Sequence, residues 1–288
     1  MTVVPILGAG SSIADYRIGF KWWALIIAVV FVISELVCVV CVPERPVACD
    51  EKPGKISDMF KALFKNDQAM TVVVSIILVY TSLNICGNLV LYFFRFDVGN
   101  EGAYSIFAAV AFAAQVLVMM VIPLLRKRFS KSQLFISGFI IQIAGFAVIL
   151  IMAFAKLYTP QSWYILCLPG ILIYLGYGML NVIMTIFLSD SVDYGEVMNG
   201  TREESVIFSM QTFTVKLASG VAVFLAGLVV DWIHLDTAAA VQTQDTLDAL
   251  RMWMTIPSVI LLIVGIFVFK RFYKLDDTRM EEIKSKLN

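Results

Sequence analysis

Charge is what this chain has least of. Only 15% of its 288 residues are Asp, Glu, Lys or Arg, where soluble domains average about 25%, so a soluble globule with a large core is excluded. The few charges cancel, 22 basic against 22 acidic. Without a concentrated basic surface no nucleic-acid partner is expected. Histidine is almost missing: His234 stands alone, in a loop between apolar runs. No histidine-rich zinc motif and no serine triad can be assembled, so the chain is read as no enzyme and no metal or cofactor is expected. The five cysteines are an odd number. Cys38 and Cys41 form a C-x-x-C, but inside an apolar run and without a second pair, so they are read as small apolar residues. A cleavable signal peptide is not expected, because residues 1–10 lack a basic n-region and a long enough apolar core.

What is there in abundance is hydrophobic side chain, 60% of the total. Seven runs are long and apolar enough to cross a bilayer: approximately 22–42, 70–94, 103–125, 132–155, 162–188, 206–231 and 252–269. Inside those runs Glu35 in the first and Lys216 in the sixth carry charge, and Asp231 closes the sixth. The short loops set the orientation through lysine and arginine. Segment 43–69 holds Arg45, Lys52, Lys55, Lys61 and Lys65, and segment 126–131 holds Arg126, Lys127, Arg128 and Lys131. The tail beyond Phe269 holds Lys270, Arg271, Lys274, Arg279, Lys284 and Lys286. The loops between these have at most one, so the C-terminus is placed in the cytoplasm and the start of the chain outside. Parity makes 189–205 a cytoplasmic loop. Trp22, Trp23, Tyr104, Trp163, Tyr164 and Trp232 fall near span ends, as interfacial anchors do.

Charged and polar residues inside a membrane helix are costly and must face protein or a water-filled cavity. On the sixth span Ser205, Ser209, Thr212, Lys216 and Ser219 are spaced 4, 3, 4, 3, which is one helical face. An ammonium there can donate to sugar hydroxyls or neutralise a carboxylate across a cavity. On the fifth span Tyr174, Tyr177, Asn181 and Thr185 share a face, with Gly170, Gly176 and Gly178 beside it. On the second, Tyr80, Asn84 and Asn88 are spaced by four. Aromatic faces stack on sugar rings and amides bond hydroxyls, although interhelical hydrogen bonding accounts for the same pattern. Gln115 and Gln142 stand alone and are read as structural, and Glu35 as a protonated or locally paired residue.

The stretch SDSVDYGEVMNGTREESVIFSMQTFTVKLASG, residues 189–220, carries D-x-V-D-Y-G-E, then G-x-R-x-E-S, then F-S-x-Q-T-x-x-x-K. In that order and spacing it resembles the glycoside–pentoside–hexuronide:cation symporters, relatives of melibiose permease in the major facilitator superfamily. The resemblance runs along the whole chain, through ERP at 44–46 and the amphipathic SDMFKALFKNDQ to the last span. It implies an all-α membrane protein: the C-terminal six-helix half of a major facilitator fold plus the preceding helix. Residues 1–45 are then the end of an N-terminal half, 46–66 a cytoplasmic central loop, and 67–288 the six-helix transport bundle with its tail.

It further implies secondary active transport of a glycoside or related sugar by alternating access in a bacterial inner membrane, coupled to sodium or a proton. The expected partners are the small sugar, the coupling cation and the lipid bilayer. The cation-site acids of the family lie in its first five helices, and the residue matching Lys216 lies near them. This reading takes the chain as N-terminally truncated and not transporting by itself. The candidate substrate or coupling residues are Lys216, Thr212, Ser209, Tyr177, Asn181, Tyr80, Asn84 and Asn88. The resemblance also points to a cytoplasmic gate of Asp190, Asp193, Glu196 and Arg202, where the alternative is a solvated loop. A seven-helix receptor fits the span count, and a truncated non-transporting membrane protein is the other alternative.

Overall fold

The computed structural model describes residues 13–41, 64–200, 204–239 and 241–287. Among them there is no β-strand, and seven helices are long and apolar enough to cross a membrane. The chain divides into two compact units, 1–54 and 55–288. The first contains helix α1, Ile13–Cys41.

Among the described residues the second unit is a bundle of six long α-helices with a short seventh. Its members are α2 (Asp67–Tyr92), α3 (Ala103–Leu125), α4 (Lys131–Phe154), α5 (Cys167–Asn199), α6 (Glu204–Trp232), α7 (Gln244–Phe272) and the amphipathic α8 (Asp277–Leu287). A π-helical turn, Phe93–Asp97, extends α2. Polar residues set the helix starts. The Asn66 side chain accepts from the Ala69 amide at 2.9 Å while its own amide donates to the Ser191 carbonyl at 2.8 Å, so one residue both caps α2 and ties it to α5. Ser130 and Gln133 form a reciprocal capping box on α4, and Thr243 caps α7.

Helix α5 runs through the middle of the bundle, packed on α3 and α4. Helix α2 packs on α6 and α7, and α4 on α7. Where α4 meets α5 the backbones nearly touch: a Cβ on Gly176 would sit 2.6 Å from the Gln142 nitrogen and 2.6 Å from the Gly138 carbonyl oxygen. Only glycine permits that approach, the usual device of membrane helix pairs. Aromatic rings fill both ends of the core. Phe135, Phe187, Phe269 and Tyr273 pack at one end, with Phe187 and Tyr273 ring centres 4.4 Å apart. Phe93, Phe94, Phe107 and Tyr158 do so at the other.

Two expected boundaries are corrected. Residues 189–199 are helix and not loop, because α5 continues unbroken to Asn199 and stops at Gly200, whose φ of 72° is the left-handed cap that glycine adopts freely. Its 33 residues span roughly 50 Å, well beyond the about 30 Å of hydrocarbon. Hydropathy marks where the bilayer ends, and the cap marks where the helix ends. At the other side, α7 begins at Gln244 rather than 252, which brings Arg251 into the helix. Cys86 is buried and Cys38, Cys41 and Cys167 are free thiols, while Cys49 lies outside the described residues.

Candidate functional site

Three helices, α2, α5 and α6, present the polar groups that the spacing singled out. Tyr80 is half-buried on α2, and its hydroxyl takes a 2.5 Å hydrogen bond from the Asn181 amide of α5. The Tyr80 ring stands edge-on to Tyr177, centres 5.5 Å apart at 78°, and Tyr177 in turn stands edge-on to Tyr174 at 6.4 Å. One turn further along α5, Thr185 accepts from Gln211 of α6 at 3.4 Å. The structure thus brings Tyr80, Tyr177 and Asn181 together, although they are far apart in sequence. Edge-to-face tyrosines beside an amide offer both an apolar face and hydroxyl partners, the combination that binds a pyranose ring.

Asn84 and Asn88 continue the α2 face but do not join that cluster. Each donates its amide to the backbone of its own helix, Asn84 to the Tyr80 carbonyl at 2.7 Å and Asn88 to the Asn84 carbonyl at 2.8 Å. Each therefore keeps a side-chain oxygen as an acceptor.

The α6 stripe lies elsewhere. The face of α6 that is buried carries Ile207, Thr214, Ala218, Ala222, Ala226 and Val229. Ser209, Thr212 and Lys216 are on exposed positions, Thr212 with a 3.4 Å bond back to the Phe208 carbonyl. Among the described residues Lys216 has no ion-pair partner.

At the end of the bundle that holds α8, charge is buried rather than solvated. Lys131, the first residue of α4, is buried and ion-paired with the buried Asp190 of α5. It also reaches Asp277 of α8 at 3.4 Å, and Arg126 meets the same carboxylate at 3.4 Å. Leu275, Met280 and Ile283 pack beneath against Tyr194 and Val197 of α5. A solvated loop is therefore the wrong picture for Asp190. Asp193 and Glu196 are half-buried on the same helix, and Arg202 lies outside the described residues. Lys131, in the sequence only one of a basic loop cluster, is the hub.

Asp277 gives the hub a pH dependence. Partial burial alone would raise its pKa, but the Arg126 hydrogen bond and the Lys131 charge outweigh it and hold the carboxyl below its ordinary 3.8. A depressed folded value means that stability is present above the ordinary value and is lost as pH falls through the folded one. Amide exchange over 275–287 is therefore expected to stay slow from neutrality down to about pH 4 and to quicken below it. Asp277→Asn should show the quickened exchange already at pH 7; exchange in that variant identical to the parent would remove the latch role.

The opposite end holds a network that the sequence did not reveal. Arg251 of α7 donates to both carboxylate oxygens of Asp97, Nε at 2.8 Å and Nη2 at 2.5 Å, and to Asp248 at 2.6 Å. The Asp97 and Arg251 side chains are 4% and 2% exposed. The Tyr158 hydroxyl donates to the same Asp97 at 2.6 Å, and burial together with that bond pushes its pKa up. Asp97 and Arg251 lie 154 residues apart, and no local spacing could have paired them.

A family model described as MFS/sugar transport protein matches residues 1–277. The raffinose carrier protein of Pediococcus pentosaceus is 24% identical over 99% of this chain and 44% of its own length. The isoprimeverose transporter of Lactiplantibacillus pentosus is 24% identical over 96% of this chain and 56% of its own length. A lactose permease of Lactobacillus delbrueckii subsp. bulgaricus is 24% identical over 93% of this chain and 42% of its own. The chain thus spans about half the length of the curated relatives it matches.

Proposed function

Because the chain belongs to the MFS/sugar transport protein family, we propose that it forms one wall of a secondary transporter for glycosides or related sugars. Transport is driven by a sodium or proton gradient through alternating access. The observation that carries the reading is the Tyr80–Tyr177–Asn181 cluster, an aromatic and amide surface in a membrane bundle where α2 meets α5. A sugar ring lies against the tyrosine faces and its hydroxyls exchange bonds with Asn181, Asn84 and Asn88. Lys216, with Ser209 and Thr212 on its face, supplies the mobile positive charge. It donates to substrate or neutralises a coupling carboxylate outside the six-helix unit, and so links sugar occupancy to the cation.

In this reading the protein is a multi-pass component of a bacterial cytoplasmic membrane. The α8 end, with its basic residues, faces the cytoplasm. The buried Lys131–Asp190 pair, with Asp193 and Glu196 on the same helix as Asp190, closes that side and separates when it opens, and Arg202 belongs to the same gate. Each pairing that breaks there must be replaced by water or another partner, which makes the pair a two-state element rather than a passive brace.

The test is uptake. Cells producing the protein with whatever flanking sequence its gene encodes are expected to accumulate labelled raffinose or another glycoside only while an ion gradient is imposed. Accumulation that survives the collapse of both sodium and proton gradients would refute symport, and the absence of any sugar uptake would refute the substrate class.

A further inference from the structure

At the end of the bundle remote from α8, the seam between α2 and α6 opens into a groove of about 560 Å³. Ligand sites typically enclose about 300–1,000 Å³. Its polar lining is Asn88 and Tyr92 from α2 and Asp231 from α6; its apolar side is Val223, Ala226 and Val230. All of these belong to the six-helix unit, so the groove is complete within it. We propose that this groove is a second sugar-binding station, a vestibule in which Asn88, Tyr92 and Asp231 take the hydroxyls of a neutral saccharide before it reaches the tyrosine cluster. The proposal rests on the sugar-transport reading given above.

The chemistry of the walls selects the ligand class. Asn88 has given one amide N–H to the Asn84 carbonyl, so it offers its oxygen as an acceptor and one further N–H. Among the described residues the Asp231 carboxylate has no ion-pair partner, and two adjacent oxygens suit a vicinal diol. Tyr92 adds a hydroxyl that both donates and accepts. An acceptor-rich wall fits a donor-rich neutral polyol. An anion is repelled by Asp231, and a bare cation fills little of such a volume. The apolar strip on α6 meets the C–H face of a sugar ring.

Gly227 makes the room. A Cβ built there meets no atom within 4 Å, so this glycine is not required by helix packing. Lys216, Val223 and Gly227 follow one another at spacings of seven and four along α6, which places them on one face. That helix face continues beyond the groove to Lys216, about 10 Å from Val223 along the helix axis. A sugar in the vestibule already lies on the face that carries the coupling charge.

Because position 227 has open space around it, Gly227→Cys is a reporter that leaves the packing intact. The variant, purified and placed in lipid nanodiscs, is alkylated with N-ethylmaleimide with and without raffinose. The reaction is read by mass spectrometry on the peptide carrying position 227, and Thr212→Cys serves as a parallel reporter beside Lys216. Raffinose is expected to slow alkylation at 227 at least threefold, and adding Asp231→Asn should abolish that protection. Protection at 212 but not at 227 overturns the vestibule while leaving the sugar reading standing. Protection at neither position overturns both, and protection at 227 untouched by Asp231→Asn overturns the groove as assigned.

Discussion

Lys216→Ala is expected to cut gradient-driven sugar accumulation at least tenfold while leaving the amount of membrane-inserted protein unchanged. Tenfold corresponds to only about 1.4 kcal/mol. An unpaired carboxylate left behind in a low-dielectric cavity costs several kcal/mol unless it takes up a proton. The structure separates this effect from misfolding. Lys216 is exposed on its helix, and among the described residues it makes no ion pair. Alanine at that position removes no ion pair among the described residues and favours the helix. Exchange of sugar down its gradient, which needs binding but not coupling, should survive better than accumulation. Lys216→Arg keeps the charge but replaces a compact, mobile donor with a planar fork, so partial rescue is expected. Sugar accumulation and exchange, measured side by side and normalised to inserted protein, decide the matter. Normal accumulation in the alanine variant would end the coupling role.

How much of this was legible in the sequence depends on the range of the interaction. The spans were legible because absence of charge is a property of each segment alone, and all seven expected spans have a helix in place. Their ends were less so. Beyond Leu188 the sequence turns polar, yet the helix continues to Gly200 because nothing before it stops the backbone. The four-residue spacing on α2 marked Tyr80, Asn84 and Asn88, but spacing is blind to where an amide spends its hydrogens. Tyr80 reaches α5, while the two asparagines bond their own helix. Asp190 was marked by a signature, and its partner Lys131 was visible only as one of several basic residues in a short loop. Arg251 fell one residue outside the apolar run 252–269 and so was assigned no place in a helix. It is among the most buried charged side chains described.

That burial makes Asp97→Ala the variant with the largest expected loss of stability. Asp97 accepts both forks of the Arg251 guanidinium and the Tyr158 hydroxyl, so one truncation strands three donors. Removing one partner of a buried pair costs about 3–5 kcal/mol. For a domain of this size that is roughly a 6–20 °C fall in the unfolding midpoint. The pair joins the π-helical end of α2 to the first turns of α7, so the loss should be felt as loosening of those two helices at this end. Arg251 also lies over the Phe154 ring at 5.8 Å, and its aliphatic stem already sits in an apolar setting. Replacing both charges with apolar groups, Asp97→Leu with Arg251→Met, should therefore recover most of what either single change loses, because no buried charge is left without a partner and the more exposed Asp248 keeps its bond from Gln244. Thermal unfolding of the purified parent, the two single variants and the double variant closes the cycle. A single variant within 1 °C of the parent would mean that water already reaches the pair, and a double variant worse than both singles would mean that its hydrogen bonds, not the avoided burial of a lone charge, hold α2 to α7.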